Sequence, residues 1–226
     1  MPRTRRIIPQ QEAALHIICR GNNKQQVFHQ DADKVYYYAL LRDLKKDNHI
    51  SIYHYCLMDN HVHLIVWLSQ ESTLSRFMKQ LSLSFYSYYK KVYGYAGHLW
   101  QGRFKSIIID LDAHLLQCGK YIELNPVRAG IVDRPERYPF SSYCHYAYGK
   151  PDAILIDNPV YTGFSVSEEN KRKQYVEFVL DKDIIETAAF SRRLIVGNDF
   201  FVREYEARYN MRAESLARGR PRNPEK

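Results

Sequence analysis

Two imidazoles flank a single apolar residue in the run Asn60-His61-Val62-His63-Leu64-Ile65-Val66. The run reads as a buried β-strand, in which alternate side chains share a face, so His61 and His63 point one way and Val62 the other. Their Cα atoms then lie roughly 6.5–7 Å apart, within reach of one divalent ion. Taken alone, His-x-His more often marks a hydrogen-bonded pair of core histidines. A second group shifts the balance. His114, Gln117, Tyr121 and Asn125 form a polar helical stripe beside the apolar stripe Leu111, Leu115, Cys118 and Ile122, which should dock on a sheet. Tyr121 and Asn125 stand one turn apart, about 6 Å between side-chain origins. Pro126 disfavours a helical Asn125, so Asn125 either ends the helix or caps a short new turn, and stays near Tyr121 in both cases.

These residue types suit phosphoryl chemistry. A tyrosine phenol titrates near pH 10 and is a weak nucleophile until its proton is removed or its anion stabilised. Two neutral imidazoles and a side-chain carbonyl can hold Mg²⁺ or Mn²⁺ with positions left for phosphate oxygens. Attack by the tyrosine would conserve the phosphodiester energy in a phosphotyrosine bond, leaving the strand break reversible.

The elements that must position these groups follow from turn and periodicity signals. Strands are expected at 13–19, 50–58, 61–68 and 103–109, with Asp59-Asn60 turning the middle pair into a hairpin. Ile52, His54 and Cys56 alternate with Tyr53, Tyr55 and Leu57 in the second strand. Helices are expected at 32–46, with Asp31 as N-cap, at about 73–93, ended by Gly94, and from Asp110 or Asp112 to about Leu124. The order β-α-β-β-α-β is the ferredoxin-like arrangement within the α+β class: an antiparallel sheet with helices on one face, plus the helix carrying Tyr121. Residues 137–159 read as a long connection. Residues 168–180 and 199–209 read as helices of a small C-terminal module. The expected division is 1–150 for the main domain and 151–226 for a helical extension with a basic tail.

Composition narrows the partners. The excess of 33 Lys+Arg over 25 Asp+Glu, a formal +8, leans toward a polyanion, and nineteen tyrosines offer faces for unpaired bases, although most should simply pack the core. The four cysteines form no Cys-x-x-Cys pair and read as buried free thiols. No apolar run reaches the ~20 residues of a membrane span, so a cytoplasmic protein is expected.

The His61-Val62-His63 motif, followed by Tyr121-Ile122-Glu123-Leu124-Asn125-Pro126-Val127-Arg128-Ala129-Gly130, resembles the HUH single-tyrosine transposases, and among them the REP-associated tyrosine transposases of bacteria. Arg20-Gly21-Asn22-Asn23, His98-Leu99-Trp100-Gln101-Gly102-Arg103-Phe104-Lys105, Tyr138-Pro139-Phe140-Ser141-Ser142-Tyr143 and the terminal Gly219-Arg220-Pro221-Arg222 support the same likeness, which spans roughly residues 13–146. The resemblance implies that His61, His63 and Asn125 hold Mg²⁺ or Mn²⁺. It makes Tyr121 the nucleophile, and the substrate single-stranded DNA beside an imperfect hairpin, cut to a 5′-phosphotyrosine and a free 3′-OH. Asp59 departs from the proline more usual before Asn-His and reads as a surface turn carboxylate.

Arg20, Asn22, Asn23, Arg103 and Lys105 are candidate DNA contacts, with Arg103 and Lys105 alternating about Phe104 on a strand edge. Arg220 and Arg222 resemble an arm for a narrow minor groove. In the run from Phe85 to Tyr93, about half of the residues should face the core and the rest suits a single-strand groove. His16 reads as a packing residue, and His114 and Gln117 as a solvated face. A hairpin-binding protein without turnover and a water-using metal-dependent phosphodiesterase are the alternatives, in a monomer or a homodimer.

Overall fold

A computed structural model of the chain describes residue 9 and residues 12–181, 190 and 193–214. Arg220 and Arg222 lie outside the described residues. Among those residues, no helix is long and apolar enough to cross a membrane.

The first six elements follow the expected order: β1 (Ala13–Arg20), α1 (Asp31–Asp47), β2 (Ile50–Met58), β3 (His61–Leu68), α2 (Leu74–Tyr93) and β4 (Lys105–Ile109). They form the antiparallel ferredoxin-like sheet in the order β2-β3-β1-β4. Gln30 rather than Asp31 caps α1, because the Asp33 carboxylate folds back to accept the N–H groups of His29 and Gln30 at 2.8 and 3.1 Å. Gly94 closes α2 in the left-handed region at φ 61°.

Helices cover both faces of the sheet, not one. Leu15, Ile17, Val62, Leu64 and Val66 face α1 and α2 in the larger core cluster. The opposite face carries Ala14, Ile65, Ile107 and Ile109, which pack under α3 (Ala113–Glu123). Both parities of β3 are largely buried, as a strand covered on two sides requires. The alternation read for β2 also fails. A bulge between Ile52 and His54 shifts the register, so Ile52 joins Tyr55 and Leu57 on the α1/α2 side while Tyr53, Cys56 and Met58 face α3.

The strand expected at 103–109 begins only at Lys105, opposite Ile18, and Arg103 and Phe104 precede it. β5 (Ile195–Val196) pairs parallel to β4 at Ile108 and Ile109 only, the end of the strand away from Lys105. The connection over 137–159 is partly helical. After the short α4 (Asn125–Arg128), it holds α5 (Tyr143–Tyr148) and reaches α6 (Pro159–Thr162). With α7 (Glu168–Leu180), these two bury Tyr143, Tyr146, Tyr161 and Tyr175 against Leu116 of α3. The last described helix, α8 (Asp199–Tyr209), sends Tyr205 into the α1/α2 core. Three of the four free cysteines are buried and Cys144 is half-buried.

α3 sits close on β2 because Gly119 has no side chain: a Cβ there would fall 2.6 Å from His54 Cε1. Gly119→Ala should therefore cost about 1–3 kcal/mol as overpacking in a closed interface. A lower urea midpoint at unchanged slope would record that loss, and an unchanged midpoint would contradict it.

Candidate active site

Two strands and one helix end supply the site. In β3, His61 and His63 share the α3 side of the sheet, with ring centroids 4.8 Å apart. His63 is buried and His61 half-exposed at the strand's start. α3 brings Tyr121 over them. Its N-terminus is capped by Asp112, whose side chain accepts the His114 N–H at 2.8 Å. Leu115, Cys118 and Ile122 are fully buried on the sheet, whereas Leu111 precedes the helix and is exposed. That docking leaves the Tyr121 ring half-buried, 5.9 Å from His63 and edge-on to it.

The backbone turns at Leu124, and Asn125–Arg128 forms a separate helical turn with Pro126 near its start. Asn125 Nδ2 donates to the carbonyls of Tyr121 and Ile122 at 3.1 and 3.2 Å. Its amide oxygen enters no hydrogen bond among the described residues and is the hard oxygen donor that Mg²⁺ or Mn²⁺ prefers. No group of three His, Cys, Asp or Glu side chains among the described residues is placed to hold a metal ion by itself. The two imidazoles fit a divalent cation only with an amide or substrate oxygen to complete the set.

Electrostatics favour neutral imidazoles. Burial, with the charge of Arg20 adding to it, lowers the pKa of His61 to about 4. Burial also holds His63 well below the usual histidine range, reinforced by His16, His61 and Arg128. Both rings therefore keep a lone pair at neutral pH. Burial raises the Tyr121 phenol above its ordinary value, and Arg128 opposes the rise.

Sequence reasoning gave no role to Arg128 and gave His16 a packing role. His16 is fully buried on β1, its Nε2 2.8 Å from His63 Nδ1 and its ring 6.1 Å from Tyr121. Burial, then the nearby charge of Lys105, lowers its pKa to about 3. The parity of β1 carried that signal, since Ala14, His16 and Ile18 share the face that pairs beside His63. Arg128 stands two turns beyond Tyr121. Its guanidinium carbon lies 4.5 Å from the Tyr121 ring centroid and its Nη2 donates to the Tyr121 carbonyl.

The candidate DNA contacts separate into two groups. Arg20 ends β1 opposite His61. The turn after it is stitched to the segment before β4: Asn22 N donates to Leu99 O, Gln101 N donates to Arg20 O, and Gly21 bridges to Trp100. Arg20, Asn22, Asn23 and Arg103 thus belong to two joined loops, and an open cleft of about 680 Å³ is lined by Asn22, Tyr86, His98 and Trp100. Lys105 sits instead on β4, on the His16 side of the sheet. Of the run from Phe85 to Tyr93, Phe85 and Tyr89 are buried, Tyr86 and Tyr88 are half-buried against the same core, and the rest is exposed. Asp59 lies in the surface turn as expected, its side chain 41% exposed and its carboxylate paired with the buried Lys34 at 2.7 Å.

Behind Tyr121 lies a buried polar hub. Glu123 Oε1 accepts from Ser142 Oγ at 2.5 Å and lies 3.0 Å from His54 Nδ1, while its Oε2 accepts from Tyr175 Oη at 2.7 Å. Asn158 Nδ2 lies 3.0 Å from His54 Nε2. The hub ties the end of α3 to β2, the 137–159 segment and α7.

A ferredoxin-like sheet with a His-x-His strand and a tyrosine helix on its second face defines the class of the molecule. The chain belongs to the IS200-like transposase family, whose profile matches residues 10–125. The fold is shared with a REP-associated tyrosine transposase solved bound to a REP hairpin, at 20% identity and a TM-score of 0.55, over 69% of this chain and 92% of that one. A candidate transposase from Deinococcus radiodurans R1 aligns at 17% identity and a TM-score of 0.38, over 61% of this chain and 98% of that one. No curated protein matches the sequence.

Proposed function

We propose that this transposase nicks single-stranded DNA beside a hairpin and transfers the broken end through a 5′-phosphotyrosine on Tyr121. The observation that carries the reading is the half-exposed Tyr121 ring held against His63, with Arg128 over it. His61, His63 and the amide oxygen of Asn125 would hold Mg²⁺ or Mn²⁺. The bound ion would neutralise the scissile phosphate and polarise its P–O bonds.

Tyr121 Oη attacks phosphorus, forming the P–O bond to the enzyme and breaking the bond to the 3′ oxygen. The proton lost by the phenol is balanced by the one the leaving 3′ oxygen gains. Arg128 stabilises the developing phenolate, and the Asn125 amide ties the turn after α3 to the Tyr121 and Ile122 carbonyls. In the same reading, Arg20, Asn22, Asn23 and Arg103 line the DNA path along the joined loops, Lys105 adds charge beside the site, and Arg220 and Arg222 extend the contact to a stem.

End-labelled hairpin oligonucleotides incubated with the chain and Mn²⁺ test the reading. A denaturant-resistant adduct, absent in Tyr121→Phe and in His63→Ala, is the expected result. Cleavage without an adduct would point to a water-using phosphodiesterase, and tight binding with neither to a DNA-binding role.

Arg128→Ala offers a second check with a definite sign. Removing the cation that lowers the phenol pKa moves the cleavage profile to higher pH. It should also slow cleavage at neutral pH roughly 2- to 30-fold, the equivalent of about 0.5–2 kcal/mol for a cation over a ring. An unshifted profile would remove Arg128 from the mechanism.

A further inference from the structure

A cavity of about 330 Å³ opens beside the turn into β3, between the first turn of α1 and the segment that follows α4. Phe28, Ile131, Tyr138 and Phe140 supply apolar surface, and Asp31, Lys34 and Asp59 supply charge. Backbone contacts fix this frame. The N–H groups of Val27 and Phe28 donate to the Asp59 carbonyl at 2.8 and 3.0 Å, and Tyr138 Oη donates to the Leu57 carbonyl at 2.6 Å. Asp59 precedes His61 by two residues, which keeps their Cα atoms within about 7.6 Å. Ile131 follows shortly after Arg128. The cavity therefore adjoins the candidate active site.

Lys34 is the group that packing does not explain. Its side chain is 8% exposed, and its ammonium meets one acceptor among the described residues, Asp59 Oδ1 at 2.7 Å. The rings of Tyr138 and Phe140 also stand near Nζ, with centroids at 5.3 and 5.1 Å. An ammonium has three N–H donors, and donors left unmatched away from water are costly. A lysine held there keeps donors free for a ligand's acceptor.

The charge balance narrows the ligand. Two carboxylates against one ammonium repel a phosphate, so the part of a nucleotide that suits the cavity is the base. Aromatic walls suit its planar faces. Lys34 and Asp59 present donors and acceptors side by side. Guanine alone among the bases carries two adjacent donors, N1–H and N2–H₂, beside an acceptor, O6. Lysine is a regular partner of O6, and a carboxylate already accepting one bond keeps lone pairs for two more. Asp31, exposed one turn before Lys34, adds acceptor oxygens at the mouth.

We propose that this cavity receives one unpaired guanine beside the scissile phosphate, with Lys34 donating to O6 and the Asp59 carboxylate accepting from N1 and N2. Its place next to the cut rests on the strand-transfer reading given above. Lys34 is then a specificity residue that reads a base, which contacts to the DNA backbone cannot do.

Sequencing of bound strands tests the assignment. Hairpin-bearing single strands with randomised flanks are mixed with the full chain without metal, and the bound fraction is sequenced. Guanine should be enriched roughly 10-fold or more at one flanking position, as matched base contacts allow. Lys34→Met should reduce that preference to within about twofold and leave the other positions as they are. The absence of a guanine-selecting position, or one unchanged in Lys34→Met, would overturn the proposal. So would selection of another base there, or an equal loss of binding across all sequences, the mark of a phosphate contact. Should Lys34→Met not fold, 2-aminopurine in place of the selected guanine makes the comparison in the parent chain. It lacks O6 and N1–H and should bind roughly 10-fold more weakly, whereas equal binding would overturn the proposal. An adduct on Tyr121 with no base preference would defeat this proposal alone. Guanine selection without an adduct would keep the base site and defeat the strand-transfer reading.

Discussion

Tyr121→Phe should leave the protein folded and abolish strand cleavage. Tyr121 Oη enters no hydrogen bond among the described residues, and phenylalanine keeps the ring contacts to His16, His63 and Phe190. Unfolding stability should therefore change by only about 0.5 kcal/mol. Cleavage, by contrast, would lose its proposed nucleophile. Removing such a group from a site whose members act as a unit lowers turnover on the order of 10³- to 10⁶-fold. Binding of the uncut oligonucleotide should survive if, as proposed, the phenol acts in the reaction and the loops contact the DNA. Gel-shift affinity near the parent's, together with no cleaved product, is the expected pair of results. Residual cleavage at a tenth of the parent's rate would mean that water attacks.

Glu123→Ala should produce the largest loss of stability. Glu123 is fully buried, and its removal strands His54, Ser142 and Tyr175 without the partner they share. Each stranded buried polar group costs about 1–3 kcal/mol, and breaking a buried pair from one side about 3–5 kcal/mol. The urea midpoint should fall accordingly, with Glu123→Gln losing less because its amide oxygen can still accept from Ser142 or Tyr175. Because the hub anchors the end of α3, activity in Glu123→Gln should fall more than DNA binding does. A Glu123→Ala variant as stable as the parent would show that the hub does not hold α3 to the sheet.

Much of this molecule can be read from residue order. The strand-helix sequence of the ferredoxin-like unit and the hairpin at Asp59-Asn60 rest on local signals, alternation and turn residues, whereas the break after α3 falls at Leu124 and Asn125 opens the next helical turn instead of capping it. The pairing of His61 with His63 follows from strand geometry alone. What could not be read depends on contacts between distant segments. The face on which α3 packs, and so the position of Tyr121 above the histidines, is set by which side of the sheet α1 and α2 leave open. The bulge at Ile52/His54 adds one residue that no alternation count reveals, and it turns His54 toward Glu123. β5 is two residues long, too short for a periodic signal, yet it extends the sheet beside Ile108 and Ile109 of β4. His16 looked like one more core residue of β1 until the register with β3 brought it to His63. Arg128 was hidden by the same proline that marks the end of α3, since a helix-spacing argument stops there.

The proposed function turns on where the DNA becomes attached. The direct test is tandem mass spectrometry of the full chain after reaction with Mn²⁺ and a hairpin-bearing single strand, digested with protease and nuclease. A nucleotide 5′-phosphate is expected on the peptide containing Tyr121, at that residue alone, together with a released strand that a polymerase extends from its 3′-OH. Complete cleavage with an unmodified Tyr121 peptide, or phosphate on another tyrosine, would contradict it.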